Sequence, residues 1–146
     1  MNDARVLLVE DNPQDELLTL RALRKARLAN RIDVVRDGQQ ALDYLFNQAE
    51  FADSAPQELP VVVLLDIGLP RLSGLEVLER LRANPRTQLL PVVVLTSSDE
   101  ASDRLRAYRS GVNSFVRKPV NSADFTETIA RLGLYWIATN EPPDAH

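Results

Sequence analysis

The chain has 146 residues, of which 45% are hydrophobic and 26% are charged. This length and composition fit one folded domain with a real core. A net charge of −4, without a basic cluster interleaved with aromatic residues, argues against contact with nucleic acid. Cysteine is absent, which excludes disulfides and cysteine-ligated zinc. No apolar run suits a signal peptide or a membrane helix, so we expect a cytoplasmic protein without a membrane partner.

Five short apolar segments predict the strands of a parallel sheet. Residues 6–9, 61–65, 92–95 and, more weakly, 114–116 run without polar alternation, as do strands covered on both faces. Residues 32–35 are only half apolar and predict an edge strand. Long irregular segments are expected only at 47–60 and from 139 onward.

A helical pattern follows each strand. The predicted N-caps are Asn12 (before Pro13), Asp37, Ser73 (in a capping box with Glu76), Ser98 or Asp99, and Asn121. Gly111 is the expected C-terminal cap of the fourth helix. The apolar stripes are Leu17, Leu20 and Leu28; Ala41, Leu42, Leu45 and Phe46; Leu75, Leu78 and Leu81; Ala101, Leu105 and Tyr108; and Phe125, Ile129, Leu132 and Trp136.

Five strand–helix units in succession predict an α/β fold. The expected architecture is a flavodoxin-like (βα)5, doubly wound parallel sheet with strand order 2-1-3-4-5. Its ligand site would lie beyond the carboxyl ends of the strands, near the switch between strands 1 and 3. We expect one domain over residues 1–138 and a tail at 139–146, with no output domain.

Charged and hydroxyl side chains stand at the ends of four of these strands. Glu10 and Asp11 follow strand 1, Asp66 follows strand 3, and strands 4 and 5 lead to Thr96 and Lys118. All four ends fall on one rim of a parallel sheet. Three neighbouring carboxylates repel one another, and a hard divalent cation such as Mg²⁺ relieves that repulsion. The backbone carbonyl of the nearby Gly68 could supply a further oxygen ligand.

This set of groups suits a phosphoryl-acceptor site. Asp66 would be the carboxylate nucleophile, while Mg²⁺ and Lys118 neutralise phosphoryl oxygens and Thr96 donates a hydrogen bond. Each feature alone has an ordinary explanation, since Glu10 and Asp11 could be a solvated strand end and Lys118 with Pro119 a turn. Their conjunction at four strand ends favours the functional interpretation.

Four stretches resemble the receiver domains of bacterial two-component response regulators. They are LLVEDN (7–12), VVVLLDIGLPRLSGLEVL (61–78), PVVVLTSS (91–98) and SFVRKP (114–119). The resemblance implies that Asp66 is the phosphoacceptor, that Glu10, Asp11, Asp66 and the Gly68 carbonyl hold Mg²⁺, and that Thr96 and Lys118 bind the phosphoryl group. It also implies a cis peptide between Lys118 and Pro119. Thr96 and Phe115 are the expected switch residues.

The same resemblance implies a mechanism and a partner. Phosphorylation would draw Thr96 inward, let Phe115 move and re-pack the face made by helix 4, strand 5 and helix 5. The donor would be a sensor histidine kinase, since the chain's own histidine, His146, stands at the C-terminus. Residues 47–60 and the LGLYWIATNEPP ending resemble single-domain regulators partnered with bacterial phytochrome kinases.

Two positions depart from the usual family pattern. Phe115 offers no hydroxyl group, and Gly68 lacks the larger polar side chain that would shape the access of hydrolytic water. The lifetime of the phosphoryl group is therefore open.

The last helix carries a second apolar stripe. Ala130, Leu134 and Ile137 follow it, with Tyr135 between. We expect a homodimer through this helix, with Leu134, Tyr135 and Ile137 at the interface. Packing of the stripe under the tail is the alternative.

Three rival functions remain to be weighed. A magnesium-dependent phosphatase of the haloacid-dehalogenase type would need a second aspartate where Gly68 stands. A flavodoxin-like cofactor binder would need a phosphate-binding loop, and the five glycines form no such cluster. A phosphorylation-dead scaffold would lack acceptor residues that are present here. We therefore expect a phosphoacceptor protein that assists only its own phosphorylation and dephosphorylation.

Overall fold

Five strands alternate with five helices along the chain. The computed structural model describes residues 4–27, 32–46, 59–97, 101–118 and 123–141. In order, the elements are β1 (Val6–Val9), α1 (Pro13–Lys25), β2 (Ile32–Val35), α2 (Gly38–Leu45), β3 (Val62–Asp66), α3 (Gly74–Arg82), β4 (Val92–Thr96), α4 (Ala101–Arg109), β5 (Ser114–Arg117) and α5 (Ala123–Leu134). A π-helical turn, Tyr135–Thr139, continues α5. Of the predicted irregular segment 47–60, residues 47–58 lie outside the described part of the chain.

The sheet is parallel throughout and has the order β2-β1-β3-β4-β5, which confirms the predicted fold. Its register aligns the strand ends, since Val9 pairs with Leu65, Asp66 with Leu95 and Thr96 with Arg117. The residues that follow β1, β3, β4 and β5 therefore reach one rim of the sheet. The predicted edge position of β2 is also confirmed.

A separate apolar core covers each face of the sheet. One core joins alternate strand residues to α2, α3 and α4, and its members include Leu7, Val9, Leu42, Leu78 and Ala107. The other joins the intervening strand residues to α1 and α5, and its members include Val6, Leu8, Leu23, Phe125 and Ile129. Because β1, β3 and β4 are buried on both faces, their sequences are continuous apolar runs.

Side-chain caps fix where the helices begin. Asn12 caps α1, Asp37 caps α2 and Ser73 caps α3, as predicted. Gly111 ends α4 at φ +91°, a conformation that favours glycine, and the Val112 amide donates to the Ala107 carbonyl at 3.1 Å. The predicted caps Ser98, Asp99 and Asn121 lie outside the described residues.

Another glycine is required by a close approach between α3 and β3. A Cβ atom on Gly74 would lie only 2.2 Å from the backbone oxygen of Asp66. A larger residue would therefore push the end of β3, and with it Asp66, out of place. The glycine at the start of α3 thus holds a residue of the site in position.

The predicted apolar stripe of α4 lies outside the core, whereas that of α1 reaches the core through Leu20 but not through Leu17. Leu17 on α1 is 46% exposed, while Leu105 and Tyr108 on α4 are 52% and 53% exposed. The buried residues of α1 are Thr19, Ala22 and Leu23, and that of α4 is Ala107. Helical spacing identifies residues that share a face but does not show which face packs on the sheet, and on α4 the buried residue is Ala107. Leu28 lies outside the described residues.

Among the helices of the described ranges, none is long and apolar enough to span a membrane.

Candidate functional site

The predicted site residues meet at the carboxyl rim of the sheet. Glu10 follows β1 and is fully buried, Asp66 ends β3 at 8% exposure and Thr96 ends β4 at 3% exposure. The Glu10 amide donates to the Val35 carbonyl at 3.0 Å, which fixes the backbone where β1 ends. The amide of Lys118 donates to the Thr96 carbonyl at 2.7 Å, which ties the end of β5 to the end of β4. Sheet geometry therefore positions each of these side chains.

Three of the acids form a cluster suited to a metal ion. Glu10, Asp11 and Asp66 can each present a carboxylate oxygen within 4.8 Å of the other two. An all-oxygen donor set of this kind fits a hard divalent cation. The amide of Gly68 donates to Asp66 Oδ1 at 3.2 Å, so the backbone of Gly68 adjoins the cluster. Its role as a carbonyl ligand stays a prediction.

Lys118 joins this acidic cluster through a buried ammonium group. Its Nζ atom donates to Glu10 Oε1 at 2.9 Å, to Asp15 Oδ2 at 2.7 Å and to Asp66 Oδ2 at 3.5 Å. Burial by itself would lower the pKa of Lys118, but the hydrogen bonds with Asp15 and Glu10 outweigh it and raise the pKa above its ordinary value. Lys118 is therefore charged at any physiological pH.

Glu10 has a perturbed charge state. Burial, reinforced by its hydrogen bond with Asp66, raises the pKa of Glu10 to about 7, although Lys118 opposes this shift. The hydrogen bond with Lys118 therefore offsets only part of the cost of burying this carboxylate. A bound cation would offset more of it.

Asp15 is the site residue that the sequence analysis missed. It lies in the first turn of α1, where an acidic residue is ordinarily explained by the helix dipole. The structure places its carboxylate on Lys118 instead. The sequence feature that could have identified Asp15 is its position in the first turn of α1, the helix that follows β1 at this rim of the sheet.

The predicted switch residues lie beside the site and toward α4. Phe115, on β5, packs partly against the core and stacks on Tyr108 of α4, with ring centroids 6.4 Å apart and planes at 29°. Thr96 is buried at the end of the neighbouring strand. The predicted cis peptide between Lys118 and Pro119 lies outside the described residues, as does His146.

The predicted dimer residues differ in exposure. Leu134 and Tyr135 are 43% and 46% exposed, whereas Ile137 packs in part against the protein's own core. Tyr135 also lies edge-on to Trp136, with ring centroids 5.0 Å apart. An apolar surface therefore remains at the end of α5, and it is smaller than the predicted stripe.

Comparison with known proteins places the chain in a family. Residues 6–130 match the family model of the response regulator receiver domain. The chain belongs to this family, as the acidic cluster and Lys118 at the rim of the (βα)5 sheet had indicated.

Similar proteins include response regulators of phytochromes. The response regulator Rcp1 of Synechocystis is 34% identical over 140 residues, which cover 96% of this chain and 93% of Rcp1. A structure of Mn²⁺-bound Rcp1 superposes with a TM-score of 0.85 over 97% of this chain and 99% of that one. The phosphorylated cyanobacterial phytochrome response regulator RcpA is 31% identical, with a TM-score of 0.85 and the same coverage of both chains. The bacteriophytochrome response regulator RtBRR is 46% identical, with a TM-score of 0.77, 97% of this chain and 85% of that chain being covered.

The pKa of Glu10 predicts that the metal-free protein loses stability as the pH rises. The folded-state pKa of about 7 lies above the ordinary value of 4.5, so the folded state holds the proton more tightly than the unfolded state does. The contribution to stability is therefore present below the unfolded pKa and is lost as the pH rises through the folded one. Urea denaturation with a chelator, from about pH 5 to pH 8, should show this fall in the free energy of unfolding.

The variant Glu10→Gln cannot ionise and should lose that part of the pH dependence. Glu16→Gln is the matched control, because Glu16 pairs with Arg36 at 3.0 Å, outside the cluster. An unchanged pH slope in Glu10→Gln would contradict the assignment.

Proposed function

We propose that this protein is a response regulator that accepts a phosphoryl group on Asp66 from a partner histidine kinase. One observation carries the proposal: the carboxylate of Asp66 belongs to an acidic cluster of metal-binding type and also lies 3.5 Å from the ammonium of Lys118. With a metal ion in that cluster, the nucleophile would be flanked by two cationic groups, which is the arrangement that phosphoryl transfer needs. The signalling unit is proposed to be residues 1–138.

The transfer uses groups at the strand ends. A carboxylate oxygen of Asp66 forms a bond to phosphorus, while the bond from phosphorus to the kinase imidazole breaks and its electron pair stays on nitrogen. Lys118 neutralises a phosphoryl oxygen, and the hydroxyl of Thr96 donates a hydrogen bond to another. Mg²⁺, held by Glu10, Asp11, Asp66 and the Gly68 carbonyl, would supply further charge neutralisation when bound. The product is an aspartyl phosphate.

Two relatives support the choice of chemistry. RcpA is described as phosphorylated, and Rcp1 as bound to Mn²⁺. The acidic cluster here offers carboxylate oxygens, and Mg²⁺ is the ion that an all-carboxylate and carbonyl site with retained waters suits. We therefore propose Mg²⁺ as the resident ion of this chain.

We propose that phosphorylation of Asp66 changes the surface formed by α4, β5 and α5. Movement of Thr96 toward the phosphoryl group would change the space available to Phe115, which stacks on the exposed Tyr108. A local change in charge would thus alter the surface of α4 and β5. Leu105, which is exposed on the same helix as Tyr108, would form part of that surface.

A phytochrome is the proposed type of kinase. RcpA and RtBRR are both described as response regulators of phytochromes, and each is matched over 97% of this chain. The haloacid-dehalogenase phosphatase has no support from the family assignment. Gly68, in place of the aspartate that such an enzyme needs as its general acid, also speaks against it.

We further propose that two copies of the chain associate through α5. Leu134 and Tyr135 keep large apolar surfaces exposed at the end of this helix, and a twofold contact is the commonest way to cover such a surface. Ile137 contributes less, because it packs in part against its own core.

Phosphorylation is tested by incubating the protein with phosphoramidate or acetyl phosphate and Mg²⁺. Intact-mass spectrometry should show one added phosphoryl group on the wild type, none on Asp66→Asn and none in the presence of a chelator. Asp43→Asn is the control, since Asp43 lies on α2 and its carboxylate accepts from Gln39 at 3.0 Å. Phosphorylation of Asp66→Asn, or steady turnover of an aryl phosphate by the wild type, would contradict the proposal.

Dimerisation is tested by light scattering on the purified chain and on Leu134→Glu. The wild type should have the mass of a dimer, and the charged residue should convert it to a monomer, because burying an unpaired carboxylate at an interface is costly. Leu89→Glu is the control, since Leu89 is 66% exposed in the connection between α3 and β4. A wild-type monomer, or an unchanged mass for Leu134→Glu, would refute the interface.

A further inference from the structure

The position of the Lys118 ammonium is set by three carboxylates, of which Asp15 is the nearest. Nζ lies 2.7 Å from Asp15, 2.9 Å from Glu10 and 3.5 Å from Asp66. The side chain of Lys118 is 8% exposed, so water does little to hold it. The contacts with Asp15 and Glu10 have ordinary hydrogen-bond lengths, whereas the contact with Asp66 is long. The distance from the Lys118 ammonium to the carboxylate of Asp66 therefore depends on the ion pair between Lys118 and Asp15.

The start of α1 aims Asp15 at this ammonium. Asn12 Oδ1 accepts hydrogen bonds from the amides of Gln14 and Asp15 at 2.9 and 3.0 Å, which fixes the first turn. In a capping box, the side chain three residues after the cap residue accepts a hydrogen bond from the backbone amide of the cap residue. Here the Asn12 amide donates to Glu10 Oε2 at 3.3 Å, and the carboxylate of Asp15 is on Lys118.

Asp15 also stands apart from the metal-type cluster. Within the described part of the chain, the acids that can bring three carboxylate oxygens together, all within 4.8 Å of one another, are Glu10, Asp11 and Asp66, and Asp15 is not part of this group. Glu10 and Asp66 would each be shared between a cation and Lys118, whereas Asp15 serves the lysine. A bound cation would therefore leave the contact between Asp15 and Lys118 unchanged.

We propose that Asp15 is a positioning residue of the phosphoacceptor site, which holds the Lys118 ammonium back from Asp66. This inference rests on the proposed function of Asp66. A direct ion pair at the usual distance of about 2.8 Å would occupy the carboxylate oxygen that must attack phosphorus. At 3.5 Å the oxygen of Asp66 stays available to attack phosphorus. The ammonium is still close enough to contact an oxygen of the arriving phosphoryl group.

The test is a double-mutant cycle on the rate of phosphorylation by phosphoramidate with Mg²⁺. Asp15→Asn should be phosphorylated on the order of tenfold more slowly than the wild type, as expected for a displaced catalytic charge. Asp15→Glu, which keeps the charge, should recover part of that loss. In a Lys118→Ala background, Asp15→Asn should change the rate by less than about twofold, because the group it positions is gone.

Glu16→Gln is the matched control for charge at the helix start. Glu16 belongs to the same first turn of α1 but pairs with Arg36, so its loss should leave the phosphorylation rate unchanged. Urea denaturation of each variant checks that it is folded. Asp15→Ser, which also suits the first turn of a helix, supplies the same comparison if Asp15→Asn does not fold.

The outcomes separate this inference from the function on which it rests. A wild-type rate in Asp15→Asn, or an equal slowing with and without Lys118, overturns the positioning role while phosphorylation of Asp66 stands. A wild type that takes up no phosphoryl group, or an Asp66→Asn variant that is phosphorylated equally well, overturns both.

Discussion

The contact between the Lys118 ammonium and the carboxylates of Glu10, Asp15 and Asp66 is the interaction on which the site depends. Glu10 and Asp66 are buried beside this lysine, and an uncompensated charge on a buried carboxylate is costly. The lysine offsets part of that penalty, and the raised pKa of Glu10 shows that part remains. The proposed divalent cation would offset the part that remains.

The fold supplies this contact by register and by helix caps. Parallel pairing brings the ends of β1, β3, β4 and β5 to one rim, and the close packing of Gly74 on the backbone of Asp66 fixes the end of β3. Asn12 then starts α1 so that its first turn faces the same rim. Residues more than a hundred positions apart in the chain, such as Glu10 and Lys118, therefore come within hydrogen-bond distance.

Much of the fold and part of the site could be predicted from the sequence, because both depend on strand order. Continuous apolar runs indicate strands covered on both faces, and parallel pairing puts the residues after them on one rim. Asp15 could not be assigned in this way, since an acid in a first helical turn has a sufficient local explanation. The exposure of Leu105 and Tyr108 could not be predicted either, because helical spacing shows which residues share a face and not which face the protein buries, and α4 buries Ala107.

The most direct test is a crystal structure of the protein with Mg²⁺ and beryllofluoride, a stable mimic of the aspartyl phosphate. The account predicts beryllium bonded to a carboxylate oxygen of Asp66, Mg²⁺ on Glu10, Asp11 and Asp66, and Lys118 in contact with both a fluorine atom and Asp15. A metal ion bound elsewhere, or a Lys118 side chain turned away from Asp66 into solvent, would contradict it.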